Sequence, residues 1–444
     1  MYSGRDLRKL MIPFMIQEIL IALMGTVDTL MVSNIGAAAI SGVSLVDSIN
    51  KLVNYLFLAV STGGTIICSQ YLGQQNIKSS NRVARQMLLS ALALSLCIMT
   101  VCLVFRKGLL GLIFGQVEAD VMASAQTYLL ITALGYPFSA LFGAASAVFR
   151  SSGNSRLPMI ISVCSNIFNI FGNFAALFIL KWGVAGAALS TSLSQFGAAV
   201  VMLIFLRKGS ETIDIGTYHS IRPDGRMIWL IVSVGFPTAI ENAMFQFGKL
   251  MVQSTVSTLG TAAISANAIV VVLELLTSEP SIGICFGLMT VVGHCIGAGK
   301  PDEAQKYIKQ MTFVGFIVLF VFNWLIFFVT KPVTVLAGME QESAALAINT
   351  MLVISILKPI LWPLAFVPSY GIKAAGDVKF TMIASTATMW LIRVGLSTVL
   401  CRVFGLGLIG IWCGYFGDWV VRSVIFSLRF RGKRWLSHSV IEKN

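Results

Sequence analysis

One carboxylate stands out from its surroundings. In 22-ALMGTVDTLMV-32, Asp28 lies within a run that is otherwise nearly all apolar, and the residues three and four positions away are Met24, Gly25, Met31 and Val32. An acid in such a segment costs roughly 2.5–3.5 kcal/mol on insertion scales. Its charge therefore has to be met by another helix, by a bound cation or by a proton. In 165-SNIFNIFGN-173, Asn169 and Asn173 fall one turn apart on one helical face. Amide oxygens are hard neutral ligands of the kind Na+ accepts, and amides also hydrogen-bond between helices in membranes; spacing leaves both readings open. The second half carries Glu241, Glu274 and Glu279, none with a basic residue at i±3 or i±4. Lys249, Lys358 and Arg393 are the cations that could meet them from other helices, giving either a paired structural network or a titratable wall for substrate or proton. Asp47 with Lys51, and Asp418 with Arg422, are spaced i,i+4, so each acid can be neutralised on its own helix.

The elements that position these groups follow from composition. The chain has 444 residues, 56% hydrophobic and only 11% charged, against about 25% charged in a soluble domain. Continuous apolar runs, each close to the roughly 20 residues a spanning helix needs, recur along its length. Their continuity predicts helices rather than the alternating strands of a barrel. Twelve spans are expected, at about 11–33, 45–72, 88–106, 122–149, 157–181, 184–206, 227–258, 266–296, 311–331, 344–371, 380–402 and 405–428. The first, behind Arg5, Arg8 and Lys9, is too long for a cleavable signal peptide and lacks a small-residue cleavage site. The eight cysteines fall in or beside apolar runs with no CxxC pair, and read as free, buried packing residues.

The net charge of +13 is a matter of topology rather than nucleic-acid binding. With a cytoplasmic N-terminus, 22 of the 32 basic residues fall in inner loops and tails, and five (Arg106, Lys107, Lys181, Lys331, Arg402) fall outside. That asymmetry predicts a cytoplasmic C-terminus as well.

The chain also repeats itself. The segment 34-NIGAAAISGV-43 aligns with 258-TLGTAAISAN-267 at an offset of 224, which also brings Pro13 onto Pro237. Further on, 149-FRSSGNSR-156 aligns with 372-IKAAGDVK-379 at an offset of 223. The fold class expected is an all-α polytopic membrane protein with twelve transmembrane helices in two pseudo-symmetric six-helix bundles, in the same orientation because six is even. The division expected is an N-lobe at 1–206, a cytoplasmic inter-lobe loop at 207–226, a C-lobe at 227–434 and a cytoplasmic tail at 435–444. Two such bundles are the architecture that alternating access uses. Prolines within the spans, Pro13 and Pro237 among them, each remove a backbone hydrogen bond and mark a kink or a hinge.

Motifs for covalent chemistry do not emerge. The stretch 293-GHCIGAGKP-301 fails as a phosphate loop, since its first glycine is misplaced and Lys300 is followed by Pro301. His219, His294 and His438 are scattered, and no nucleophile has a visible base. The expectation is that the chain is not an enzyme and hydrolyses no ATP.

The combination of 13-PFMIQEILIALMGTVDTLMVSNIG-36, 69-SQYLGQQN-76 and 294-HCIGAGKPDEAQ-305, with 150-RSSGNSR-156, 183-GVAGAALST-191 and 373-KAAGDVK-379, resembles the multidrug and toxic compound extrusion (MATE) transporters from about residue 8 to 434. The resemblance implies a secondary antiporter of the cell (inner) membrane that exports amphipathic, mainly cationic organic compounds in exchange for Na+ or H+. It implies small organic substrates and the lipid bilayer as partners, with no cofactor beyond the coupling ion; the charge distribution argues against nucleic acid, and a monomer is the simpler expectation where the sequence is silent on oligomeric state. By position, Asp28 is similar to the family's first-helix aspartate. Asn169 and Asn173 match its fifth-helix pair, and Thr191 a sixth-helix threonine. Together they would hold H+, or Na+ with Asp28, Asn169 and Asn173 as ligands, while Pro13 resembles the proline where the first helix bends. The sequence departs from the pattern where a seventh-helix acid falls on Phe245 and a tenth-helix acid near Trp362. Glu241, Glu274, Glu279 and Lys249 are the expected C-lobe polar or substrate site in their place. The alternative function is a flippase for a lipid-linked or polar precursor of the same superfamily.

Overall fold

A computed structural model describes residues 1–115, 118–209, 213–216, 218 and 221–441, without the side chains of Thr26 and Ser33. His219, Lys443 and parts of the expected inter-lobe loop and tail lie outside the described residues. Among those described, twelve helices are long and apolar enough to cross a membrane. They are α1 (Gly4–Val32), α2 (Ala37–Gly73), α3 (Ile77–Phe114), α4 (Ala119–Ser151), α5 (Arg156–Ile179), α6 (Gly183–Lys208), α7 (Gly225–Leu259), α8 (Thr261–Gly297), α9 (Pro301–Leu336), α10 (Gln341–Ala374), α11 (Val378–Arg402) and α12 (Gly407–Arg431). Each expected span is found. Many helices run well past it, because hydropathy marks the apolar middle while backbone hydrogen bonding carries the helix on through polar ends.

The internal repeat is present in the structure. The lengths of α2 to α6 are 37, 38, 33, 24 and 26 residues, and those of α8 to α12 are 37, 36, 34, 25 and 25. The turns repeat too. Gly36 and Gly260, which cap α2 and α8, have φ of 138° and 92°. Gly153 and Gly376, before α5 and α11, have φ of 85° and 106°. These are left-handed conformations that a side chain resists, so glycine recurs at both repeats. The fifth helix of each half loosens into a π-helical stretch, Ala175–Ile179 in α5 and Thr388–Val394 in α11. Such widened turns commonly mark functional positions.

Packing divides the chain into two compact units, Leu20–Ala239 and Met1–Ile19 with Ile240–Asn444. The division falls inside α1, six residues after Pro13, and inside α7, two residues after Pro237. In the first unit α4 packs against α2, α3 and α6. Glycines let backbones approach, as small residues do in membrane bundles. A Cβ on Gly42 of α2 would lie 2.9 Å from the Ala125 nitrogen of α4, and one on Gly63 would meet the Ile231 carbonyl of α7. In the second unit α10 packs against α8, α9 and α12. There Gly283 of α8 seats the start of α1: a Cβ on it would lie 2.6 Å from the Met15 nitrogen and 2.7 Å from the Phe14 carbonyl carbon. Outward faces are strongly apolar, with Leu112, Phe171, Phe328 and Leu391 each about two-thirds exposed or more, as a bilayer solvent requires. Cys68, Cys102, Cys285, Cys295 and Cys401 are buried, whereas Cys97 and Cys164 lie on exposed helix faces and Cys413 is half-buried; all are free thiols.

Candidate cation pocket and the polar core of the second unit

Asp28, Asn169, Asn173 and Thr191, four residues spread over more than 160 positions of sequence, meet in the Leu20–Ala239 unit. Asn173 Nδ2 donates to Asp28 Oδ1 at 2.8 Å. The Asn169 amide lies between Asp28 and Thr191. Turned so that both ends are satisfied, its nitrogen donates to Asp28 Oδ1 at 2.9 Å and its oxygen accepts from Thr191 Oγ1 at 3.2 Å. Local sequence explains the convergence. Asn169 and Asn173 project from one face just before the π-helical stretch of α5. Gly172 faces Ser190 and Gly186 faces Ala176, so α6 comes close enough for Ser190 Oγ to bond the Asn169 carbonyl at 3.0 Å. Both amides are buried, and Asn173 Oδ1 has no hydrogen-bond partner among the described residues. A buried acceptor beside a carboxylate is a place where a cation would be stabilised. A half-turn of either amide would present its oxygen to that cation in place of its NH2 group.

Asp28 and Thr191 also line a cavity of about 360 Å³ within the same unit. Sequence reasoning missed most of its polar wall. Asp47, Asn50, Lys51 and Asn54 of α2 face it together with Tyr128 and Tyr136 of α4. Among the described residues no ion pair joins Asp47 to Lys51. Asp47 accepts instead from Tyr128 and, at 3.5 Å, from Asn50 Nδ2, while the Tyr136 hydroxyl donates to Asn50 Oδ1 at 2.8 Å. The signal was present in 47-DSINKLVN-54, where Asp47, Asn50, Lys51 and Asn54 at i, i+3, i+4 and i+7 share one helical face.

The second unit distributes its charges differently. Lys358 of α10 is fully buried and pairs with Glu274 of α8 at 2.6 Å. Glu241 of α7 lies 2.7 Å from Lys373, which is buried near the end of α10 rather than placed in a loop. Arg393 does not meet any of the three glutamates; it pairs with Asp418 at 2.5 Å, and Arg422 holds the other oxygen of Asp418 at 2.9 Å, as its i,i+4 spacing predicts. Phe245 lies under both guanidiniums, at 4.7 and 5.4 Å from ring centre to Cζ, and 5.3 Å from Lys249 Nζ. The position where a family acid would fall thus carries an aromatic face that stabilises cations. Trp362, the other departure, is buried and stacks on Phe366 at 4.6 Å. Glu279 lies within electrostatic reach of Glu18, Glu274, Lys249 and Lys358. Of the four expected C-lobe residues, Glu274, Glu279 and Lys249 thus lie within electrostatic reach of one another, with Lys358 among them, while Glu241 pairs with Lys373. Pro13 is buried within an unbroken helix.

Twelve helices in two repeats, with an intramembrane acid and amides gathered beside a discontinuity in one helix, define a membrane protein of the secondary-transporter class. The MatE family model matches this chain twice, over residues 13–175 and 237–399, a spacing that reproduces the internal repeat. The chain belongs to the MatE family, the multidrug and toxic compound extrusion proteins. Among its relatives, the probable multidrug resistance protein NorM of Thermotoga maritima is 27% identical, the match covering 99% of this chain and 94% of that protein. The uncharacterized transporter YisQ of Bacillus subtilis is 26% identical over 96% of this chain and 93% of its own length. An outward-facing multidrug resistance MATE family transporter of known structure superposes with a TM-score of 0.91 at 18% identity, covering 97% of this chain and 95% of that one, which supports the fold.

Proposed function

We propose that this chain is a secondary antiporter that exports amphipathic organic cations in exchange for Na+, by alternating access, with both termini in the cytoplasm. The observation that carries the reading is the cavity that Asp28 and Asp47 share. Two carboxylates against one lysine favour a cationic guest, and Tyr128 and Tyr136 give it aromatic surface. Asp28, with the amides of Asn169 and Asn173 and the Thr191 hydroxyl, takes the coupling ion. One acid surrounded by neutral oxygens makes a ligand shell for Na+, whereas a proton needs the acid alone.

Antagonism between the two guests follows from charge. A cation on Asp28 removes one of the two negative charges the organic cation sees, which at separations of a few ångströms is worth a few kcal/mol at an effective dielectric near 20. Where more Na+ enters than cationic charge leaves, each net charge carried inward adds about 2.3 kcal/mol per 100 mV. The name of the Thermotoga relative, a probable multidrug resistance protein, agrees with organic substrates. No chemical step on the substrate is required. The flippase alternative loses support because two of the cations that favoured it, Lys358 and Arg393, are held by Glu274 and Asp418.

Equilibrium binding of ethidium to the purified protein tests this reading. Na+ should weaken dye binding about 5- to 150-fold, the usual range of coupling between sites, and Asp28→Asn should bind dye without a Na+ response. If acid but not Na+ displaces the dye, the coupling ion is H+; if neither does, the antiport reading fails.

A further inference from the structure

The surroundings of Lys358 have the form of a cation-coordination shell. Its Nζ is fully buried and reaches four oxygens: Glu274 Oε1, Thr277 Oγ1 and Ser278 Oγ at 2.6 Å, and the Glu274 carbonyl at 2.8 Å. An ammonium has three protons, so it has fewer donors than the shell has oxygens. One carboxylate, one carbonyl and two hydroxyls are the hard, all-oxygen donor set that small cations take. All four come from one stretch of α8, because Glu274, Thr277 and Ser278 stand at i, i+3 and i+4 on one face. The shell is also preassembled: Thr277 Oγ1 donates to the Glu274 carbonyl at 2.8 Å, and the single Ser278 hydroxyl proton has the Glu274 carbonyl at 3.1 Å and Glu274 Oε1 at 3.0 Å as its acceptors. An ion pair alone needs only the carboxylate, and the hydroxyls and carbonyl go beyond that need.

We infer that Glu274, Thr277 and Ser278 form a monovalent-cation site, and that Lys358 is a tethered cation permanently filling it. The chain's own ammonium takes the place of a free ion on α8, so this unit binds no mobile cation there. The side chain fastens α10 to α8 at the same time. Removing the tether should turn the cage into a site for Na+, K+ or a free alkylammonium.

The test is thermal unfolding of the full-length protein in detergent, in an Asp28→Asn background so that the pocket of the other unit does not respond. Lys358→Ala is compared with the Lys358→Ala/Glu274→Gln double variant. Chlorides of Na+, K+ and methylammonium are titrated against N-methylglucamine, which is too bulky for the cage. The expected result is that Lys358→Ala melts below its parent and recovers by several degrees as one of the small cations is raised. The parent and the double variant should show no such recovery. A single variant that melts alike in all four salts overturns the inference, as does a double variant that responds equally. So does a single variant that stays unfolded with every cation present while the double variant folds.

Discussion

At the residue scale, Asp28 is separable from stability. Asparagine in its place keeps an oxygen for the Asn173 amide, which now donates at 2.8 Å, so Asp28→Asn should melt within about 1 kcal/mol of wild type, a loss of the size of one neutral hydrogen bond. Asp418 is the reverse case. It lies fully buried between Arg393 and Arg422, and Asp418→Ala would leave two guanidiniums uncompensated. The expected loss is about 3–5 kcal/mol, read as a large fall in melting temperature. How well residues could be read from sequence tracked how far away their partners were. Asp28 declared itself because nothing within a turn could neutralise it, and Asn169 with Asn173 because their spacing is helical. Asp47 shows the limit of the same rule: its i,i+4 lysine acts on it as the spacing predicts, but Tyr128 of α4 also bonds the carboxylate, and no local spacing reports a partner 81 residues away. Lys373 was hidden by its neighbours: 373-KAAGDVK-379 reads as a polar loop, yet α10 continues to Ala374 and carries the lysine to Glu241.

At the scale of elements, α1 belongs to both units. It enters with the second unit, passes Pro13 and joins the first unit from Leu20 onwards, where it carries Asp28. Proline has no N–H for the Lys9 carbonyl, so the helix is one hydrogen bond short where it lies against Gly283. Restoring that bond with Pro13→Ala should leave melting temperature equal or higher and slow turnover in a transport assay; unchanged turnover would make the proline a static kink. Gly283→Leu should destabilise the protein by about 1–3 kcal/mol, because the atoms its side chain would meet are backbone of α1 and cannot rotate away. Proline and glycine were both legible as residues. That Gly283 seats α1 was not, since close approach between helices 270 residues apart leaves no periodic trace.

At the scale of the whole molecule, twelve spans and their duplication were readable because hydropathy and repetition are additive over long windows. The division inside α1 and α7 was not, because both helices are apolar on either side of it. Orientation is testable in a variant without native cysteines. Lys107→Cys, exposed on α3, should react with an impermeant maleimide on intact cells, and Lys379→Cys, exposed on α11, only after permeabilisation. The reverse pattern would invert the topology. The most direct test of the account is gradient-driven efflux of ethidium from liposomes containing the purified protein, comparing wild type with Asp28→Asn. An inward Na+ gradient should drive dye out through wild type and fail to do so through the variant. Equal gradient-driven export by both proteins would contradict the assignment of coupling to Asp28.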